Sequence, residues 1–65
     1  MKGATYEVKI FKIDGLRFIQ VCRFHNGIYL TSVKQIGLLT EEQKHRRVTT
    51  MKENLCMKEK KLCTR

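Results

Sequence analysis

"FKIDGLRFIQVCRFHNGIYL", Phe11 to Leu30, holds two turn signals, Asp14-Gly15 and Asn26-Gly27, each set between apolar, β-prone residues. Asp-Gly and Asn-Gly are the preferred pairs of the two-residue type I′ hairpin, whose central residues both need φ > 0. Two such turns define three antiparallel strands: Thr5 to Ile13, Leu16 to His25 and Ile28 to Ile36. Loops this short also set the pairing. Ile13 faces Leu16, Phe11 faces Phe18, Ile10 faces Ile19 and Val8 faces Val21. Across the second turn His25 faces Ile28, Phe24 faces Tyr29 and Cys22 faces Thr31.

Side chains alternate across a strand, so the register sorts them into two faces. One face carries Tyr6, Val8, Ile10, Ile19, Val21, Ile28 and Leu30, with Lys12, Arg17, Arg23, His25 and Lys34 around them. The other carries Lys9, Phe11, Ile13, Leu16, Phe18, Gln20, Cys22, Phe24, Tyr29, Thr31 and Val33. The first is an aliphatic patch with a basic rim; the second is aromatic and mixed. Neither is a clean solvent face, and the pattern does not say which one a second layer covers.

Near residue 40 the composition turns from β-branched and aromatic residues to Lys, Arg, Glu, Gln and Met. Gly37 ends the third strand, and Thr40-Glu41-Glu42-Gln43 reads as a capping box with acidic residues in the first helical turn. The helix is expected from Glu41 to about Lys61, with Val48, Met51, Leu55 and Leu62 as a narrow apolar stripe and a frayed tail at 62–65. A rival reading makes "TSVKQIGLLTEEQ" two short helices with Ser32 as a cap, a helix-turn-helix. The Asn-Gly hairpin argues against it, because it needs a third strand of useful length. The fold class is therefore α+β: a three-stranded antiparallel β-meander followed by one C-terminal helix (βββα), a single small domain over 1–65.

A 65-residue chain buries a small fraction of its surface and often needs a staple, a metal or a partner subunit. Fourteen Lys and Arg against six Asp and Glu leave a formal charge of +8, which favours polyanionic partners. No run of residues approaches the roughly 20 apolar positions of a membrane span. "MKGATYEVKIFK" lacks the apolar core of a secretory signal, so a cytoplasmic location is expected. Three cysteines, an odd number without scaffold-like spacing, agree with that.

Neither a metal site nor a catalytic one emerges. Cys22 and His25 are three apart on a strand and point to opposite faces. Cys56 and Cys63, seven apart on a helix, lie about 10.5 Å apart along its axis, too far for zinc bonds of about 2.3 Å or a disulfide. Asp14 belongs to a turn, Glu41 and Glu42 to a helix start, and Ser32 has no evident base. Without a phosphate loop or metal motif, the chain reads as a non-enzyme with no cofactor.

Nucleic-acid binding is the sharpest expectation. Phe11, Phe18, Phe24 and Tyr29 share a face with Lys9, and aromatics on an open sheet can stack bases. Lys44, Arg46 and Arg47, with the sheet-rim residues Arg17 and Arg23, would hold phosphates. In a second orientation the other face enters a major groove, with Lys12, Arg17, Arg23 and Lys34 reading bases and the aromatics under the helix. The expected protein is a small DNA- or RNA-binding regulator, as a homodimer. The alternative is an inhibitor or adaptor that binds an acidic protein through a sheet face or edge strand. In size such a chain is similar to small accessory proteins of phages and prophages.

Overall fold

The computed structural model describes residues 3–63, apart from the side chain of Cys63. Three strands, β1 (Thr5–Ile13), β2 (Leu16–His25) and β3 (Ile28–Ile36), form one antiparallel sheet in the order β1-β2-β3, followed by a single helix, α1 (Glu41–Cys63). The arrangement is the expected βββα. Asp14 and Gly15 (φ 51° and 79°) and Asn26 and Gly27 (φ 53° and 77°) sit in the left-handed region that both positions of a type I′ turn require. Every expected cross-strand pair is present, from Ile13 opposite Leu16 to Cys22 opposite Thr31. Residues 28–36 are a strand, so the helix-turn-helix reading is excluded.

The helix starts where its capping box does. The Thr40 amide donates to Gln43 Oε1 and the Gln43 amide donates to Thr40 Oγ1, both at 3.1 Å. Two of the amides left unpaired at a helix start are thereby satisfied. Glu41 and Glu42 occupy the first turn and Lys60 and Lys61 the last, both favourable to the helix dipole. The helix continues two residues past the expected Lys61. Fraying at Thr64 and Arg65 and the spacing of the Cys63 thiol lie outside the described residues.

The aliphatic face is the covered one. Ile19 and Val21 of β2 and Ile36 of β3 are buried against Met51 and Leu55 of α1, with Tyr6, Leu30, Leu39 and Val48 packed around them. Each fully buried aliphatic side chain contributes about 1.5–3 kcal/mol, and Ile19, Val21, Met51 and Leu55 are nearly the whole of that contribution. The helix lies over β2 and β3 and leaves β1 at the margin, where Val8 and Ile10 each remain 41% exposed. A three-stranded sheet is about 14 Å wide and a helix about 10–12 Å, so one helix does not reach both edges.

The stripe on α1 differs from expectation in one position. After Val48, Met51 and Leu55 the next inward residue is Glu59, 7% exposed, whereas Leu62 is 61% exposed. Glu59 forms an ion pair with Arg23, itself 7% exposed, and its second oxygen lies 3.0 Å from His25 Nδ1. Arg23 also donates from Nε to Tyr6 Oη at 3.0 Å, and its Nη2 approaches Cys56 Sγ at 3.9 Å. Leu62 comes a turn after Glu59, which lies across from His25, the last residue of β2.

Candidate nucleic-acid interface

The expected binding residues separate into three groups. Arg23 is a correction: it does not line a surface but sits in the helix–sheet interface, because β2 points it at the same layer as Ile19 and Val21 and Glu59 meets it there. The remaining residues divide between the basic helix side and the open sheet face.

On the helix side, Lys34 of β3 and Gln43, Arg46, Arg47 and Thr50 of α1 line an open groove of about 330 Å³ floored by Leu39 and Met51. Positions 43, 46, 47 and 50 share one helical face by their spacing of three and four. Arg46 is tethered to Glu42 one turn earlier, Nη2 to Oε2 at 3.2 Å. Lys34 and Arg47 have no ion pair among the described residues. Arg17 and Lys12, opposite one another at the end of the β1–β2 hairpin, project from the same sheet face as Lys34. Lys34, Arg46 and Arg47 line the groove, and Lys12 and Arg17 extend the same positively charged layer toward the β1–β2 turn. Exposed cations so placed suit phosphate oxygens, with Gln43 and Thr50 as neutral donors.

Lys44 is not part of this group. It lies on the opposite flank of α1, beside β1, where Val8, Ile10, Glu41, Lys44, His45 and Val48 line a second open groove of about 470 Å³. Its ammonium pairs with Glu41 at 3.4 Å. At 100° per residue Lys44 and Arg46 lie 200° apart around the helix, and Lys44 and Arg47, though three positions apart, line different grooves.

The open face holds the aromatics, so the orientation that put them under the helix is overturned. Phe11 and Phe18 stack at 5.7 Å between centroids and 17° between planes, flanked by the pair Lys9 and Gln20. Phe24 and Tyr29 pair at the far end of the sheet and are exposed, as are Ile13, Leu16 and Val33. Beneath them Cys22 is buried, its Sγ 3.4 Å from Thr31 Oγ1, and Gln20 donates to the same hydroxyl at 3.2 Å. A hydrogen bond with Cys22, then its charge, burial and Glu7 raise the pKa of Tyr29 above 10.0. Glu7 and Lys9 are the only charged strand residues on this face. The aromatic face and the basic groove are therefore opposite layers of the molecule and cannot form one continuous site.

Among the described residues no cluster of three or more His, Cys, Asp or Glu is placed to hold a metal, and no helix is long and apolar enough to cross a membrane. Compared with known protein families, with curated proteins and with solved structures, the chain gives no match.

Proposed function

We propose that the protein is a small, non-catalytic regulatory protein of the cytoplasm that binds DNA or RNA through phosphate contacts on its helix side and works as a homodimer. The observation that carries this reading is the groove between α1 and β3, where Lys34 and Arg47 face solvent without ion-pair partners among the described residues and Arg46 stands beside them. Lys34, Arg46 and Arg47 make this groove positive, whereas the aromatic face, with one glutamate and one lysine among its strand residues, is nearly neutral. Cytoplasmic residence is in keeping with the free thiols of Cys22 and Cys56.

The test is fluorescence anisotropy with labelled single- and double-stranded oligonucleotides over a salt series. Each neutralised phosphate contributes about −0.9 to the slope of log K against log salt on duplex DNA. The double change Arg46→Ala/Arg47→Ala should flatten that slope by nearly two and weaken binding at least about 10-fold on every sequence. Unchanged affinity in the double variant would remove the groove from the proposal.

A second reading rests on the open face. Its exposed Ile13, Leu16, Phe24, Tyr29 and Val33 form an apolar surface of the kind that marks protein contact. Through it the chain would act as an inhibitor or adaptor on a protein partner. Such binding should depend on Phe18, Phe24 and Tyr29 and respond weakly to salt.

A further inference from the structure

We infer that two copies of the chain pair antiparallel along their β1 edges, centred on Val8, to make one six-stranded sheet. This rests on the homodimer reading above and is independent of any nucleic acid.

The β1 edge is uncovered. It runs nine residues without a bulge or proline, and α1 lies over the other two strands. The Asp14-Gly15 turn closes on a hydrogen-bonded pair, Ile13 with Leu16, and such pairs alternate along an antiparallel ladder. The odd-numbered residues of β1 therefore direct their backbone groups to β2. Tyr6, Val8, Ile10 and Lys12 direct theirs to the free edge, where a second strand can take them.

Charge selects the register. Hydrogen bonding and matched faces allow only pairings that differ by steps of two residues. With Val8 opposite Val8, Tyr6 faces Ile10 of the second copy and Glu7 faces Lys9, twice by symmetry. Slipping two residues one way sets Lys9 against Lys9, and two residues the other way sets Glu7 against Glu7. Like charges directly opposite are destabilising and opposite charges stabilising, so both neighbouring registers are penalised. Lysine on an edge strand normally discourages pairing; here Lys9 discourages one neighbouring register and Glu7 the other.

The half-exposed Val8 and Ile10 gain from the same pairing. Both lie on the helix side, next to Val48 in the groove along β1, and the second copy brings an equivalent set beside them. β3 offers nothing comparable: its single charge is Lys34, and it borders Arg46 and Arg47, so two β3 edges would bring like charges together. In the β1 dimer both helices lie on one face of the sheet, and the two basic grooves face the same way.

Sedimentation equilibrium on the full chain tests this, with far-UV circular dichroism to confirm folding. The wild type is expected to be dimeric. Glu7→Lys and Lys9→Glu should each weaken the dimer about 10-fold or more, and Glu7→Lys/Lys9→Glu should restore it. Val8→Pro, which removes an outward amide without touching the β1–β2 ladder, should give a monomer. A monomeric wild type at about 100 µM would overturn the dimer reading itself. A dimer indifferent to both single changes, or a double change that fails to rescue, would overturn the β1 register alone. Nucleic-acid affinity plays no part in the readout.

Discussion

Replacing Glu59 by alanine would leave the Arg23 guanidinium at 7% exposure with the Tyr6 hydroxyl as its one close oxygen partner. Removing one member of a buried ion pair costs about 3–5 kcal/mol, because the other charge stays desolvated. A chain of 65 residues has about 3–10 kcal/mol of total stability at 0.05–0.15 kcal/mol per residue. Glu59→Ala should therefore consume most of it, even though alanine is the better helix former by a few tenths of a kcal/mol. Arg23→Met/Glu59→Leu should behave differently. Buried pairs exchanged for apolar side chains of similar size are often neutral or stabilising by about 1–4 kcal/mol. Urea unfolding followed by far-UV circular dichroism measures both. The single variant should lose its cooperative transition or have its midpoint sharply lowered, and the double should recover it. A Glu59→Ala variant within about 1 kcal/mol of wild type, or a double no more stable than the single, would refute the reasoning.

Leu55→Ala empties the middle of the helix–sheet contact and should cost about 2–5 kcal/mol in urea unfolding. Gly15→Ala meets no atom within 4 Å yet sits at φ 79°, so it should cost about 1–2 kcal/mol from conformation alone, whereas Gly37→Ala, with open space and no positive φ, should stay within about 0.5 kcal/mol in thermal melts. Because Tyr29 ionises above its ordinary 10.0 in the folded chain, the stability it contributes is present below that pH and fades as pH rises through the raised value. Cys22→Ala should move its tyrosinate absorbance titration back toward 10.0.

The strands and their register were legible because their determinants are local. Asp14-Gly15 and Asn26-Gly27 each specify a two-residue turn, and a two-residue turn leaves no freedom in the pairing that follows. The choice of covered face was not local. Ile19 and Val21 on one side and Phe11 and Phe18 on the other are equally apolar, and only the helix, seated against Ile36, Met51 and Leu55, decides between them. The end of the stripe on α1 is not legible from apolar spacing, because Leu62, seven residues after Leu55, continues the pattern while the charged Glu59 occupies the inward position. A usable signal lay in the strand: Arg23 and His25 interrupt an otherwise aliphatic face, and Glu59, four residues after Leu55, is the carboxylate that meets them. In the basic run, charge alone did not show that Lys44 and Arg47 belong to different flanks of one helix.

The buried Arg23–Glu59 pair also fixes how the two layers fit. Sliding α1 by one turn along the sheet would leave Met51 and Leu55 on apolar ground, since Ile19, Val21 and Leu30 extend along the strands. It would not leave Arg23 satisfied, because one turn before Glu59 the inward residue is Leu55 and one turn later it is Leu62. Hydrophobic contact thus permits several positions of the helix, and the Arg23–Glu59 pair with His25 selects one, a known use of buried polar groups. That selection holds Lys34 beside Arg46 and Arg47. If so, the apolar double variant that restores stability should also loosen the placement of the helix. A stable Arg23→Met/Glu59→Leu protein with broadened amide resonances along α1 would separate the energy of the pair from its role in register. Sharp resonances at wild-type positions would show that the apolar stripe alone suffices to place the basic groove.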